Sequence, residues 1–260
     1  MSETVIQVTS LGKRIKGKTI LEDISFEINK GDCVALIGPN GAGKTVLMSC
    51  ILGDKKPSSG QVLIDGKAGK AKNKIAVLLQ ENTIPNSLKV EELIAFFQSI
   101  SDNPLTNQEV QDLLQFKEDQ YQQFADKLSG GQRRLLAFVL CLIDKPKILF
   151  LDEPTAGMDT STRQRFWEIV NNLKKAGTTI LYSSHYIEEV EHTADRILVL
   201  HRGKLIRDTT PYAMRHEEKE KQVTLPSSFV NIVHGLSDIY ELTEKRDVIS
   251  FMTKDIEKVW

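Results

Sequence analysis

No apolar run in this 260-residue chain is long enough to cross a membrane: the longest, residues 135–143, has nine residues, against the roughly 20 of a spanning helix. If the protein moves anything across a bilayer, another chain must supply the pore. Cysteine is scarce and scattered. Cys33, Cys50 and Cys141 form no CxxC pair, which excludes a disulfide framework or a zinc site and fits a reducing, cytoplasmic setting. Neither sign of charge is in excess, with 34 Lys and Arg against 35 Asp and Glu, so electrostatics gives no reason to expect nucleic acid as a partner. Residues 1–10 lack the basic start and apolar stretch of a secretory signal. What is left, 40% apolar and 27% charged, describes a soluble globular chain whose ligand must be sought in motifs.

Apolar periodicity divides the chain. Residues 4–8 and 25–28 alternate as half-buried strands do, with Gly31 and Asp32 marking a turn, so an antiparallel layer is expected near the N-terminus. Residues 34–37 form an apolar strand that runs through a glycine-rich turn into an apolar helix at 45–52, the start of an α/β layer. Further strands are expected at 61–66 and 74–79. From 87 to about 127 the period becomes helical, with Val90, Leu93, Ile94 and Phe97 on one face and Val110, Leu113 and Leu114 on another. This predicts an inserted helical subdomain at about 86–128. Helix 134–143, strand 148–151, helix 163–175 and strand 178–184 then alternate, which predicts a parallel sheet with crossover helices. The expected division is a main domain at 1–210 and a small α/β appendage at 211–260, with a charged stretch at 216–221 and apolar pieces at 229–233 and 248–252.

Three motifs carry chemistry. Gly38-Pro39-Asn40-Gly41-Ala42-Gly43-Lys44-Thr45 has the P-loop pattern GxxxxGK[ST] between a buried strand and a helix. There, backbone N–H groups can surround phosphate oxygens and the helix start adds partial positive charge. Lys44 is placed to reach the β- and γ-phosphates of a nucleotide, and Thr45 to offer a hydroxyl to Mg²⁺. Asp152 and Glu153 end the apolar strand 148–151 at the sheet edge where such folds bind ligands. Asp152 is expected to hold Mg²⁺, and Glu153 to accept the proton of an attacking water. The third motif, Leu128-Ser129-Gly130-Gly131-Gln132, is a serine cap and two glycines opening an apolar helix, a second anion-binding helix start.

The Leu128 to Gln132 motif, and the order P-loop, Gln80, that motif, Asp152-Glu153 and His185, resemble the ATPases of ABC transporters over about residues 4–210. The resemblance implies an α/β fold: a P-loop NTPase core of the ABC ATPase type with an N-terminal antiparallel β layer, the inserted helical subdomain and the short C-terminal appendage. It also implies roles. Gln80 corresponds to the glutamine that touches Mg²⁺ or the attacking water and senses the membrane partner, His185 to the histidine that contacts the γ-phosphate, and Asp159 to the aspartate that faces the partner subunit. Ser129, Gly130, Gly131 and Gln132 would cap the ATP held by the P-loop of the other subunit, in a homodimer or heterodimer binding two nucleotides. Members of the family commonly stack an aromatic on adenine at the position that Ile15 occupies here, and no aromatic lies between Met1 and Ile24.

Other classes fit less well. ABC ATPases that act on ribosomes or DNA carry tandem domains, long coiled coils or zinc sites, none of which has a counterpart here, and a P-loop kinase or GTPase leaves residues 128–132 unexplained. Residues 79–82, 127–129 and 156–159 look most like bacterial ABC-2 type exporters, whose ATPase and permease are separate chains; an importer ATPase is the alternative. The resemblance thus places the chain at the cytoplasmic face of the membrane, held there by an ABC permease, with Ile84, Leu88 and Phe97 as apolar anchors for a permease helix near Gln80.

Overall fold

A computed structural model describes residues 3–68, 75–80, 84–85, 87–216, 221–237 and 239–254. It begins with a long hairpin of β1 (Thr4–Ile15) and β2 (Lys18–Asn29). In β2, Ile24, Phe26 and Ile28 are buried between exposed neighbours, the alternation of a strand with one face on a core. Both strands outrun their apolar stretches, because β1 is hydrogen-bonded to a strand on each side. β3 (Cys33–Ile37), buried at every position, leads through the glycine turn into α1 (Lys44–Ile51). β4 (Ser59–Ile64) and β5 (Lys67–Ala68) complete an antiparallel sheet of order β2-β1-β4-β5.

β6 (Ile75–Leu78) precedes three helices, α2 (Val90–Ser99), α3 (Asn107–Leu114) and the short α4 (Glu118–Tyr121), in the segment expected to be helical. Then follow α5 (Gly130–Leu142), β7 (Ile148–Leu151), α6 (Thr160–Lys175) and β8 (Thr179–Ser184), and after them α7 (Ile187–Thr193), β9 (Arg196–His201) and β10 (Lys204–Thr209). The central sheet has the order β10-β9-β3-β8-β7-β6, parallel except for the antiparallel edge strand β10. One hydrophobic cluster joins the two sheets through α1, with Ile6, Leu11, Ile24, Leu36, Leu47, Phe150 and Leu198 among its buried members. Each such side chain contributes roughly 1.5–3 kcal/mol. On the other face, Phe138 of α5, Phe166 and Trp167 of α6 and Tyr182 of β8 form a chain of ring contacts, centroids 4.4–5.1 Å apart, that seats both helices.

Several boundaries differ from the sequence expectation. α5 starts at Gly130 rather than 134, and α6 at Thr160 rather than 163, because Ser129 and Asp159 supply N-caps that extend each helix ahead of its apolar stripe. The strand expected at 61–66 runs from Ser59 to Ile64, ending before a turn at Asp65 and Gly66, both of positive φ. The strand expected at 74–79 ends at Leu78, and Lys74 lies outside the described residues. Ile84, expected as an exposed anchor, is buried, and its carbonyl accepts a hydrogen bond from Arg133.

The chain divides into two compact units, Met1–Pro211 and Tyr212–Trp260. α8 (Pro211–His216) begins at the junction. β11 (Lys221–Pro226), β12 (Tyr240–Glu244) and β13 (Val248–Thr253) form an antiparallel sheet of order β11-β13-β12, and α9 (Val230–Val233) adds Val233 to a small core with Ile249 and Phe251. Of the charged stretch 216–221, residues 217–220 lie outside the described residues.

Candidate functional site

The P-loop links β3 to α1, and its shape needs glycine where other residues crowd it. A Cβ on Gly38 would stand 2.1 Å from the Leu200 carbonyl oxygen. Gly43 caps α1 with φ 108°, in the left-handed region, and a Cβ there would meet Leu21 Cδ2 at 2.8 Å. The loop is thereby held against the N-terminal hairpin and β9. Lys44 is buried, and its Nζ donates to the carbonyls of Gly38 (2.8 Å) and Pro39 (3.5 Å). The ammonium also lies 3.7 Å from Glu153 Oε1.

Because β8 stands beside β3 and β7 beside β8 in the sheet, the C-terminal end of β7 brings the acidic pair near the P-loop, and that of β8 brings Ser183 and His185. Thr45 Oγ1 donates to Asp152 Oδ2 at 2.8 Å, and Ser183 Oγ donates to Asp152 Oδ1 at 2.5 Å. The Glu153 N–H donates to Ser183 Oγ at 2.9 Å, and Glu153 Oε2 is 3.5 Å from His185 Nδ1. Glu153 has φ 44°, a left-handed conformation that a non-glycine residue keeps only when its surroundings over-determine it. Lys44, Thr45, Asp152, Glu153 and His185, far apart in sequence, thus converge at one edge of the sheet. Ser183 belongs with them and was not singled out in the sequence. Its only signal was a run of polar residues, Ser183-Ser184-His185, ending an apolar strand.

These residues fit a magnesium nucleotide. The Thr45 hydroxyl and Asp152 carboxylate form a hard oxygen pair. That is the donor set of a cation that takes one or two protein oxygens and completes its shell with phosphate and water.

The Ser129–Gln132 motif opens α5 as a capping box: Ser129 Oγ accepts from the Gln132 N–H at 3.2 Å, and Gln132 Oε1 from the Ser129 N–H at 3.1 Å. A Cβ on Gly130 would meet nothing within 4 Å, so this helix start is open, whereas Gly131 lies against Asp159, with Oδ2 at 3.1 Å from its Cβ position. Asp159 caps α6 and accepts from Ser161 Oγ, the Thr162 N–H and Thr162 Oγ1 at 2.7–2.9 Å. The Ser161 bond first, then those from Thr162, hold its carboxyl well below the usual carboxylate range. Gln80 follows β6, which pairs with β7 up to Leu78, and its side chain is exposed. Ile15 ends β1, paired with Lys18 across the hairpin and 36% exposed. Residues 81 and 82 of the exporter-like segment lie outside the described residues.

Residues 21–156 match the family model described as ABC transporter. Among curated relatives, the chain is 33% identical to the Nod factor export ATP-binding protein I of Rhizobium johnstonii over 229 residues, 84% of this chain and 73% of that one. It is 31% identical to the probable multidrug ABC transporter ATP-binding protein YbhF of Escherichia coli over 244 residues, 89% of this chain but 42% of the relative, so it spans less than half of that protein's length. Among solved structures, an ATP-binding subunit of an ABC transporter superposes with a TM-score of 0.71 at 25% identity, covering 82% of this chain and 92% of that one. A dimeric ATP-binding cassette in a post-hydrolysis state with ADP and Pi superposes with a TM-score of 0.70 at 21% identity over 79% of this chain and 98% of that one, a likeness of fold.

Proposed function

The chain belongs to the ABC transporter ATP-binding family, and from that premise we propose that it hydrolyses ATP in a dimer to drive export through a separate membrane permease. It is an ATP-binding subunit of an ABC-type ATPase. No helix among the described residues is long and apolar enough to cross a membrane, so the proposed place is the cytoplasmic face, held by the permease. Relatives named for Nod factor export and multidrug transport favour export.

The observation that carries the mechanism is the meeting of Lys44, Thr45, Asp152 and Glu153 at one sheet edge. In this reading the loop Gly38-Pro39-Asn40-Gly41-Ala42-Gly43 wraps the phosphates, and Lys44 moves from the Gly38 carbonyl to their β- and γ-oxygens. Thr45 and Asp152, with Gln80, would hold Mg²⁺, which would supply neutralising charge to the phosphate oxygens. Glu153 takes a proton from water as the water oxygen bonds to the γ-phosphorus and the bond to the β–γ bridging oxygen breaks, releasing ADP and phosphate. His185, 3.5 Å from Glu153, orients that carboxylate and the γ-phosphate. The open helix start at Gly130 serves the γ-phosphate on the partner subunit, and Asp159 beside it faces that subunit. Closure completes both sites; hydrolysis removes the shared anion and lets them part. For the permease, the exposed Phe96 of α2 and Ile100 at its C-cap replace Ile84 as apolar anchors.

Glu153→Gln tests the reading, since the amide keeps the shape but cannot accept the proton. Turnover should drop by at least about 100-fold while ATP binding persists, and gel filtration with ATP and Mg²⁺ should show a dimer. A mutant that hydrolyses ATP at the unsubstituted rate would remove Glu153 from the role.

A further inference from the structure

Arg134 lies one helical turn into α5, behind the Ser129–Gln132 cradle, and its side chain is buried. A guanidinium carries five N–H donors in a rigid fork. Here all five find main-chain carbonyl oxygens: Nε donates to Pro154 (3.1 Å), Nη1 to Leu79 (2.5 Å) and Gln80 (3.1 Å), and Nη2 to Asp152 (3.1 Å) and Glu153 (3.4 Å). These acceptors lie where two strands leave the sheet. β6 and β7 pair up to Leu78 and Leu151, the Asp152 N–H still reaches the Leu78 carbonyl at 2.8 Å, and beyond that the chains diverge. Arg134 takes up the carbonyls that the sheet ladder no longer serves.

Two features separate this from ordinary packing. A buried cation is usually met by a carboxylate, yet among the described residues the hydrogen bonds of Arg134 go to carbonyls alone. Burial accordingly pulls its pKa below the ordinary guanidinium value. The second feature is which carbonyls they are: those of Gln80, Asp152 and Glu153, residues of the proposed catalytic set, with Glu153 in its left-handed conformation. That conformation is held from both sides, by Ser183 on the Glu153 N–H and by Arg134 on its carbonyl.

We propose that Arg134 is a positioning residue for ATP hydrolysis, which sets the main chain beneath Asp152, Glu153 and Gln80 and fastens it to the helix that opens the signature cradle. The side chain touches no reacting atom; it acts through the backbone that aims the two carboxylates. It also joins, within one subunit, the catalytic loop of that subunit's own site to the cradle offered to its partner's nucleotide. A displacement of α5 when the cradle engages phosphate is thereby passed to the loop that carries Glu153.

The inference rests on the assignment of Asp152 and Glu153 as catalytic, and Glu153→Gln serves as the control that separates the two. The full-length chain is prepared with Arg134→Gln and with Arg134→Lys, and for each the Kd of a fluorescent ATP analogue and the steady-state kcat are measured. Arg134→Gln should lower kcat about 10- to 100-fold, as expected for a small misplacement of catalytic groups, with Kd within about threefold because the P-loop is untouched. Arg134→Lys, with three donors for five carbonyls, should fall between the two and carries the test if the Gln variant does not fold. A folded variant with kcat within about twofold of the unsubstituted chain, or one whose Kd rises in step with the loss of kcat, overturns the proposal. If Glu153→Gln itself stays active, the failure lies in the catalytic assignment instead.

Discussion

At the scale of single residues, Ile15 sets an expectation for nucleotide choice. Base–aromatic stacking is worth roughly 1–3 kcal/mol, and an isoleucine gives apolar contact without the flat π face. Ile15 ends β1, in the hairpin whose Ile20 and Leu21 border Gly43 of the P-loop. Affinity then leans on the phosphates, which every nucleoside triphosphate shares. The Kd for ATP and GTP should differ by less than about tenfold, or ~1.4 kcal/mol, and Ile15→Tyr should tighten ATP binding; a larger native preference, or no gain on adding the ring, would contradict this. The cysteines give a second expectation. Burial pushes the Cys33 thiol up to about 12 and Cys141 to about 11, and raises Cys50 as well. A thiol protonated throughout the neutral range reacts poorly, so mass spectrometry after brief iodoacetamide treatment at pH 8 should find the native chain largely unmodified. In urea it should carry all three labels, and rapid native labelling of Cys33 would count against its burial.

At the scale of elements, caps decide where helices begin, and among the caps of α3, α5 and α6 the sequence reading singled out only Ser129. Ser129 was legible as a cap, yet the apolar stripe it precedes starts later, so the helix was expected from 134 although α5 begins at Gly130. α7, β9 and β10, beyond His185, were not foreseen at all. In α7 and β10 charged residues break the apolar period, whereas β9 carries the continuous apolar run Ile197-Leu198-Val199-Leu200, a strand signal that the sequence does show. The capping box of α3 tests this level away from the site: Thr106 Oγ1 accepts from the Glu109 N–H at 3.2 Å, and Glu109 Oε2 from the Thr106 N–H at 2.7 Å. Thr106→Ala should cost about 1 kcal/mol, lowering Tm by about 2–4 °C for a unit of this size. ATP turnover should hold, because α3 supplies nothing to the nucleotide site. An unchanged Tm in calorimetry would mean that the cap is replaced by water.

At the scale of the whole molecule, the two units have separate cores, one joining the large sheets and one made of Val233, Ile249 and Phe251. A chain ended after Pro211 should therefore fold and keep ATP affinity within about threefold, since burial within the first unit supplies its stability; isothermal titration of the shortened chain checks it, and loss of cooperative unfolding would show that the units depend on each other. The sequence by itself determined the two glycine-rich helix starts, the acidic pair and their order, because each rests on a local demand: glycine where φ is positive or backbone comes close, serine where a helix start needs an acceptor, and carboxylates where an apolar strand ends. Only the tertiary structure decided the strand order, in which β8 lies between β3 and β7. That order brings Asp152 to Thr45 and Glu153 to Lys44 and places Ser183 beside Asp152, while Ile84 is buried and Arg134 lies beneath the loop of Asp152 and Glu153. Strand order and burial arise from pairing and packing between residues more than 100 positions apart, such as Thr45 and Asp152, and no local period of the chain encodes those partners.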